Sequence, residues 1–255
     1  MQPHEYETMY RAEDRHWWYV GLRTVMFSLL NLPRRPHNEA ERQYHILDAG
    51  CGTGGTLGKL WRYPHAQGID YAPLAVEFCH QRGLHNVQQG SVTAIPQQDS
   101  SLDLLISLDV LCDEGTPPES FALREFYRVV KPGGRLYLNL PAYGFLRGEH
   151  DVAAGVVRRY DAARLRGLVE GAGFRIRRLT YWNTLLFPIV VAVRRSQATA
   201  ARTLAEKPAD ARSDVKLPPE PLNRVLTNLV RLEAAWLRRF DLPYGSSIAC
   251  VAEKI

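Results

Sequence analysis

HILDAGCGTGGTLGKL, from His45 to Leu60, places five glycines directly after an apolar run that holds one carboxylate. Gly50, Gly52, Gly54, Gly55 and Gly58 would each weaken an ordinary helix or strand, because a residue without a Cβ loses the most conformational freedom on folding. Their concentration marks a tight turn, or a backbone that must lie close to something else. Ile46-Leu47-Asp48-Ala49 has the make-up of a buried strand, and the glycines form the turn out of it, with a helix expected to start near Thr56. That arrangement sets main-chain N–H groups and a helix N-terminus beside a pocket at the strand's carboxyl end.

Outward from this stretch, short apolar runs alternate with helical patterns. YHILDA, HAQGID, HNVQQG, LDLLISL and GRLYLNLP read as strands; GTLGKLWRY, APLAVEFCHQRG and PPESFALREFYRVVKPGG read as helices, the last ended by Pro132-Gly133-Gly134. Alternation of this kind implies βαβ units and an α/β, doubly wound, mostly parallel sheet. His4 to Asn31 reads as helical, and NLPRRP separates it from the first strand. After the core come a helix (YDAARLRGLVEGAGF), a strand (RIRRLTYW), a final amphipathic helix (PLNRVLTNLVRLEAAWLRRF) and a final alternating strand (SSIACVAEK). RRSQATAARTLAEKPADARSDVKLPPEP is poor in aromatics and reads as a linker.

The glycine spacing narrows the ligand. A dinucleotide site usually shows G-x-G-x-x-G, whereas this chain has G-x-G-x-G preceded by Asp48. That aspartate opposes a pyrophosphate and suits an ammonium group. The second strand ends in Asp70, 16 residues after Gly54, where a carboxylate can accept both hydroxyls of a ribose. One carboxylate for an amine and one for a ribose describe S-adenosylmethionine (SAM). A nicotinamide-dependent oxidoreductase is the competing enzyme reading; a SAM-binding regulatory protein without turnover is the competing non-enzyme.

ILDAGCGTGG, GIDYAP, LDLLISLDVL and EFYRVVKPGGRLYLNLP, in this order, resemble the successive motifs of class I SAM-dependent methyltransferases over residues 43 to 142. The resemblance implies a Rossmann-like seven-stranded sheet, its last strand antiparallel, with an N-terminal helical lid. It implies a cofactor site of Asp48, Gly50, Cys51, Gly52, Gly54, Asp70, Tyr71, Ser91, Val92, Leu108 and Asp109. Tyr71 would pack on the adenine, Ser91 and Val92 would meet its edge, and Leu108 and Asp109 would touch the methionine part. Ser91 stands where many relatives carry Asp.

The acceptor side must come from outside these motifs. EDRHWWYVGLR crowds His16, Trp17, Trp18, Tyr19 and Arg23 together, and LPAYGFLRGEHDVAAGVVRRYDAARL follows the fifth strand. The HWWY opening and the HD…RRY run resemble a bacterial subset of type 11 methyltransferases. Relatives often carry histidines where Gly155, Val156 and Asp113 stand here, which leaves His150 as the candidate base, with Asp151 as its orienting partner. Tyr143 and Tyr160 complete the candidate catalytic set. Methyl transfer is an in-line displacement whose leaving group is already good, so the protein has to align the nucleophile and take its proton. No metal-ligand spacing is evident, and no metal is expected.

The organisation expected within one domain is a helical cap (1–42), the SAM-binding core (43–145), a substrate-side segment with sheet completion (146–195), a flexible linker (196–217), and the last helix and strand (218–255). Of the formal charge of +5, the stretch from Leu146 to Lys216 holds an excess of its own, with 14 Lys/Arg against 7 Asp/Glu. Cys51, Cys79, Cys112 and Cys250 are too scattered for a zinc or disulfide framework, and the N-terminus lacks an apolar signal core. A cytoplasmic protein is expected, a monomer or homodimer. Its partner would be a small-molecule or lipid-linked acceptor rather than nucleic acid: SLDVL cannot form the polar clamp that holds a flipped base. TYWNTLLFPIVVAVRR joins aromatic, apolar and basic residues and suits a greasy access surface or peripheral membrane contact.

Overall fold

The structure is a computed structural model that describes residues 3–32, 38–203 and 217–255; side chains at 3, 149–150 and 197–203 are outside the described set. Helices α1 (Pro3–Ala12), α2 (Trp17–Leu30) and the short α3 (Glu39–Arg42) precede strand β1 (Ile46–Ala49). Then come β2 (Ala66–Asp70), α4 (Pro73–Gln81), β3 (Val87–Gln89), β4 (Leu102–Leu108), α5 (Glu119–Val129) and β5 (Val130–Pro141). The chain closes with α6 (Glu149–Ala153), α7 (Ala162–Gly171), β6 (Phe174–Trp182), α8 (Phe187–Thr203), α9 (Glu220–Trp236) and β7 (Ser247–Lys254).

The strands form one seven-stranded sheet in the order β3-β2-β1-β4-β5-β7-β6. β1 to β5 run parallel, and β7 inserts antiparallel between β5 and β6. The order reverses between β1 and β4, which opens the crevice at their carboxyl ends where ligands of open α/β sheets bind. Parallel strands are covered on both faces, so their sequences are apolar throughout. Successive residues divide between two cores: Leu47, Leu105 and Leu138 join one with Phe126, Leu165 and Val169 of α5 and α7. Ile46, Leu104 and Tyr137 join the other with Met26, Val230 and Ala234 of α2 and α9. That alternation is the two-residue period of a strand. On the second face α2 and α9 pack closely enough that a Cβ on Gly21 would lie 2.7 Å from Val230 Cγ1.

Each of the seven expected strands is present, and two helical expectations are corrected. No α-helix follows the glycine run; a single 3₁₀ turn, Leu57–Lys59, takes its place. Gly54, Gly55 and Gly58 remove too much helix propensity, and Pro64 cuts the segment short. The run expected to be a linker from residue 194 onward begins as helix, since α8 extends to Thr203. Ala192, Ala198, Ala200 and Ala201 are strong helix formers, and the lack of aromatics does not weaken them. The rest of that expected linker, 204–216, lies outside the described residues.

Candidate cofactor and acceptor site

The glycine loop takes backbone shapes that side chains resist: φ is +83° at Gly50, +54° at Gly52 and +86° at Gly54. The Gly50 and Cys51 N–H groups both donate to Ile69 O, at 2.8 and 2.9 Å, pinning the loop to the end of β2. Asp48 lies beneath it, 1% exposed, and its Oδ2 has no hydrogen-bond partner within the protein. Burial pushes the Asp48 carboxyl up to about 7, and nearby Asp70 and Glu13 add to that. A buried polar atom without a partner costs free energy, and a cation would relieve it. Asp70, at the tip of β2, accepts from Gly52 N at 2.9 Å and Ala72 N at 3.0 Å. Burial raises its pKa and the two amides oppose the rise. Cys51 touches Cys79; that contact and burial hold its thiol well above the ordinary range, so it is a packing group.

On the nucleoside side, Tyr71 is 77% exposed beside Asp70, and Val92 is buried. Ser91 Oγ is 2.9 Å from Thr93 Oγ1. At the end of β4, Leu108 packs on the α2 side of the sheet, and Asp109 has φ of +56°. Burial pushes its carboxyl up to about 7, opposed by Asn139 and Arg159. A chain of contacts missed by sequence reading fixes this carboxylate. Trp18 stacks on Trp182 (4.7 Å), Trp182 Nε1 donates to Asn139 Oδ1 (2.7 Å), and Asn139 Nδ2 donates to Asp109 Oδ1 (3.0 Å). The indole can only donate, so the amide can only face one way. The alternating pattern marked Asn139 as a strand residue, but gave no sign that its neighbours lay 30 and 43 residues away.

α1 lies over the glycine loop, as a lid would. A Cβ on Gly52 would meet Met9 Cε at 2.7 Å, and the buried Glu13 carboxylate bonds Thr53 Oγ1. Burial raises the Glu13 pKa, with Thr53, Arg82 and Arg23 opposing. Arg82, just past α4, ties lid to loop: it donates to Thr53 O (2.6 Å), Glu13 (2.6 Å), Asp14 (2.5 Å) and Tyr10 O (3.0 Å). Tyr6 lies in the field of Asp70 and Asp113, and Tyr19 in that of Glu13 and Asp109; burial raises both hydroxyls. Of these two tyrosines, Tyr19 stood out in the sequence and Tyr6 did not.

Three of the candidate catalytic residues, Tyr160, Asp151 and Tyr143, make contacts that the sequence did not show. Tyr160 is buried, and its hydroxyl hydrogen is shared between Leu111 O (2.9 Å) and Glu119 (3.0 Å), so it is a structural prop. Asp151 does not stand ready for a histidine: its carboxylate takes Arg159 Nη2 and Gly148 N, both at 2.7 Å. Arg159 also donates to Ala142 O, while Arg158 holds Leu111 O, Asp113 O and Thr116 O. The RRY run therefore locks its segment onto the ends of β4 and β5. Sequence reading took its polarity for chemistry, because these backbone partners leave no local pattern. Tyr143 has φ of +54° and stacks on Tyr181 (5.1 Å) and Phe145 (5.3 Å). Burial and a hydrogen bond with Tyr181 raise its hydroxyl pKa. The side chain of His150 lies outside the described residues. Among the described residues, no three His, Cys, Asp or Glu side chains group to hold a metal.

Sheet order, glycine loop and paired carboxylates define the Rossmann-like architecture of class I methyltransferases. Residues 47–138 match the family model Methyltransf_11, described as a methyltransferase domain. The chain is 30% identical over 158 residues to a malonyl-[acyl-carrier protein] O-methyltransferase of Serratia marcescens, covering 59% of this chain and 61% of that protein. It is 36% identical over 103 residues to a ubiquinone biosynthesis O-methyltransferase of Pseudomonas fluorescens, covering 37% and 43%. The chain thus spans about three fifths or less of these curated relatives. A solved structure from Thermotoga maritima, a SAM-dependent methyltransferase described as a "possible histamine N-methyltransferase", superposes with a TM-score of 0.59 at 17% identity, covering 99% of this chain and 95% of that one. The similarity there is one of fold.

Proposed function

We propose that this protein transfers a methyl group from SAM to an oxygen or nitrogen of a small or lipid-linked acceptor. The observation that carries the reading is Asp48: a buried carboxylate with an unpartnered oxygen, beneath a glycine loop and beside Asp70. That donor set fits a ligand with an ammonium at one end and a ribose at the other, and it repels a pyrophosphate. Bound SAM supplies an electrophilic methyl on a sulfonium, which the acceptor's lone pair takes while the sulfur leaves as a neutral thioether. Asp48 binds the ammonium and Asp70 the ribose hydroxyls. Gly50, Cys51, Gly52 and Gly54 shape the seat; Tyr71, Ser91 and Val92 line the adenine side and Leu108 the methionine side.

The acceptor proton goes to Asp109 in this reading. A carboxyl poised near 7, held by Asn139 at the end of β4, has the basicity that general-base catalysis near neutrality favours. O-methylation draws support from the relatives, two of which are named malonyl-[acyl-carrier protein] O-methyltransferase and ubiquinone biosynthesis O-methyltransferase. The test uses methyl-labelled SAM with a lipid extract and a polar metabolite extract as acceptors. Transfer into either supports the reading; cofactor binding with no transfer to either points to the regulatory alternative. Asp109→Asn should lower kcat by about 10²–10⁴-fold and erase the acidic limb of the pH profile. A profile unchanged by that substitution but lost in His150→Ala would return the role to His150.

A further inference from the structure

α9 carries a second apolar stripe that faces away from the core. Val230 and Ala234 are buried against α2. Leu222, Val225, Leu232 and Trp236 are 50–65% exposed, and half-buried Leu229 continues the row. They recur at spacings of three and four, so they share one side of the helix. Phe240, 54% exposed, extends the row past the helix end. Arg224 and Arg231 lie seven residues apart on another side of the same helix, Arg224 paired with Glu220, and Arg238 and Arg239 follow just past its end, all four exposed. Between Pro221 and Phe240 the sole acidic residue is Glu233, which is buried and faces inward, accepting from Asn183 N and Leu185 N at 2.6 Å each. Those two bonds fasten the start of the α8 segment to α9, and that segment exposes Leu185, Ile189 and Val193 at intervals of four.

We infer that α9, with the start of α8, docks this protein on the surface of an anionic lipid bilayer. The charge pattern selects this occupant. The exposed carboxylates at the two ends of this stretch are already engaged, Glu220 with Arg224 and Asp241 with Arg178, so two facing copies would set Arg231, Arg238 and Arg239 close together without a counter-charge from α9. An anionic headgroup layer answers the arginines while the acyl boundary receives the stripe. The helix would lie on the bilayer, since no helix among the described residues is long and apolar enough to cross one. Next to the α8 apolar residues, a groove of about 530 Å³ lined by Phe187, Pro188, Val191, Ala192, Arg195 and Tyr244 opens at the aromatic stack that includes Tyr143. Docking there would present a lipid-linked acceptor to that groove. The surface itself stands independently of the methyl-transfer reading.

Co-sedimentation of the full chain with vesicles tests this. Vesicles of phosphatidylglycerol and phosphatidylcholine in equal parts should pellet the protein at least about tenfold more strongly than phosphatidylcholine alone, and high salt should remove the difference. Leu232→Glu with Trp236→Glu should lower partition at least about tenfold with an unchanged melting curve, and Arg231→Glu with Arg238→Glu should abolish the preference for the anionic vesicles. Protein that stays in the supernatant with anionic vesicles at low salt overturns the inference, as does a Leu232→Glu/Trp236→Glu variant that pellets like the parent. A parent that dimerises in the ultracentrifuge and ignores vesicles, with the same variant monomeric, overturns it in favour of a second copy. Cofactor titration of each variant keeps these outcomes separate from failure of the methyl-transfer reading.

Discussion

Asp48 is where stability and function oppose each other most directly. Burial pushes its carboxyl from the ordinary 3.8 up to about 7 in the folded chain. Between those values the native state holds a proton that the unfolded chain has released, so this residue's contribution to stability falls as pH rises from about 4 to 7. Asp48→Asn removes that penalty. The variant should melt higher than the parent at pH 8 without ligand, while losing SAM affinity, and a calorimetric scan beside a titration reads both. In the parent, affinity for S-adenosylhomocysteine should rise as pH passes upward through about 7, because the ammonium needs the ionised carboxylate; pH-independent affinity between 6 and 8 would remove Asp48 from that contact. Asp70→Ala should weaken binding by about 1–3 kcal/mol through lost charged hydrogen bonds.

Among the elements, α1 and its attachment matter most for the cofactor. Arg82 and Glu13 form an ion pair with side chains 15% and 6% exposed, and removing one partner of a buried pair typically costs about 3–5 kcal/mol. Arg82→Ala should therefore loosen α1 and raise amide exchange across residues 3–14, with a lower melting temperature; exchange unchanged there would show that Met9 and Tyr10 hold the lid unaided. Neither Arg82 nor Glu13 was legible in the sequence, since 69 residues separate them. The strands were legible because burial on both faces writes itself into each as an apolar run, as in LDLLISL. The glycine loop was legible because glycine takes positive φ at the least cost, so a cluster of glycines marks such a turn. The helix expected after it was not there, and the second half of α8 looked like a linker, because composition says little where propensity and tertiary packing disagree. The setting of Tyr160 was not legible, because the groups that take its hydroxyl, Leu111 O and Glu119, lie 49 and 41 residues away.

Across the whole molecule, the sheet carries a division of labour. One core face joins α5 and α7 and supports the Tyr160 prop; the other joins α2 and α9 and supports the Trp18–Trp182–Asn139–Asp109 chain. Phe126→Ala, in the first core, should cost about 3–5 kcal/mol of stability in denaturant unfolding without altering the cofactor contacts, whereas Trp182→Phe removes a donor to Asn139 and should lower turnover more than stability. The central claim is that the crevice between β1 and β4 seats a cationic nucleoside amino acid. Isothermal titration of the full chain with S-adenosylhomocysteine and with NADH tests it most directly. The account predicts a single saturable site for the first, lost in Asp48→Asn, and no heat from the second; tight binding of NADH with indifference to S-adenosylhomocysteine would contradict it.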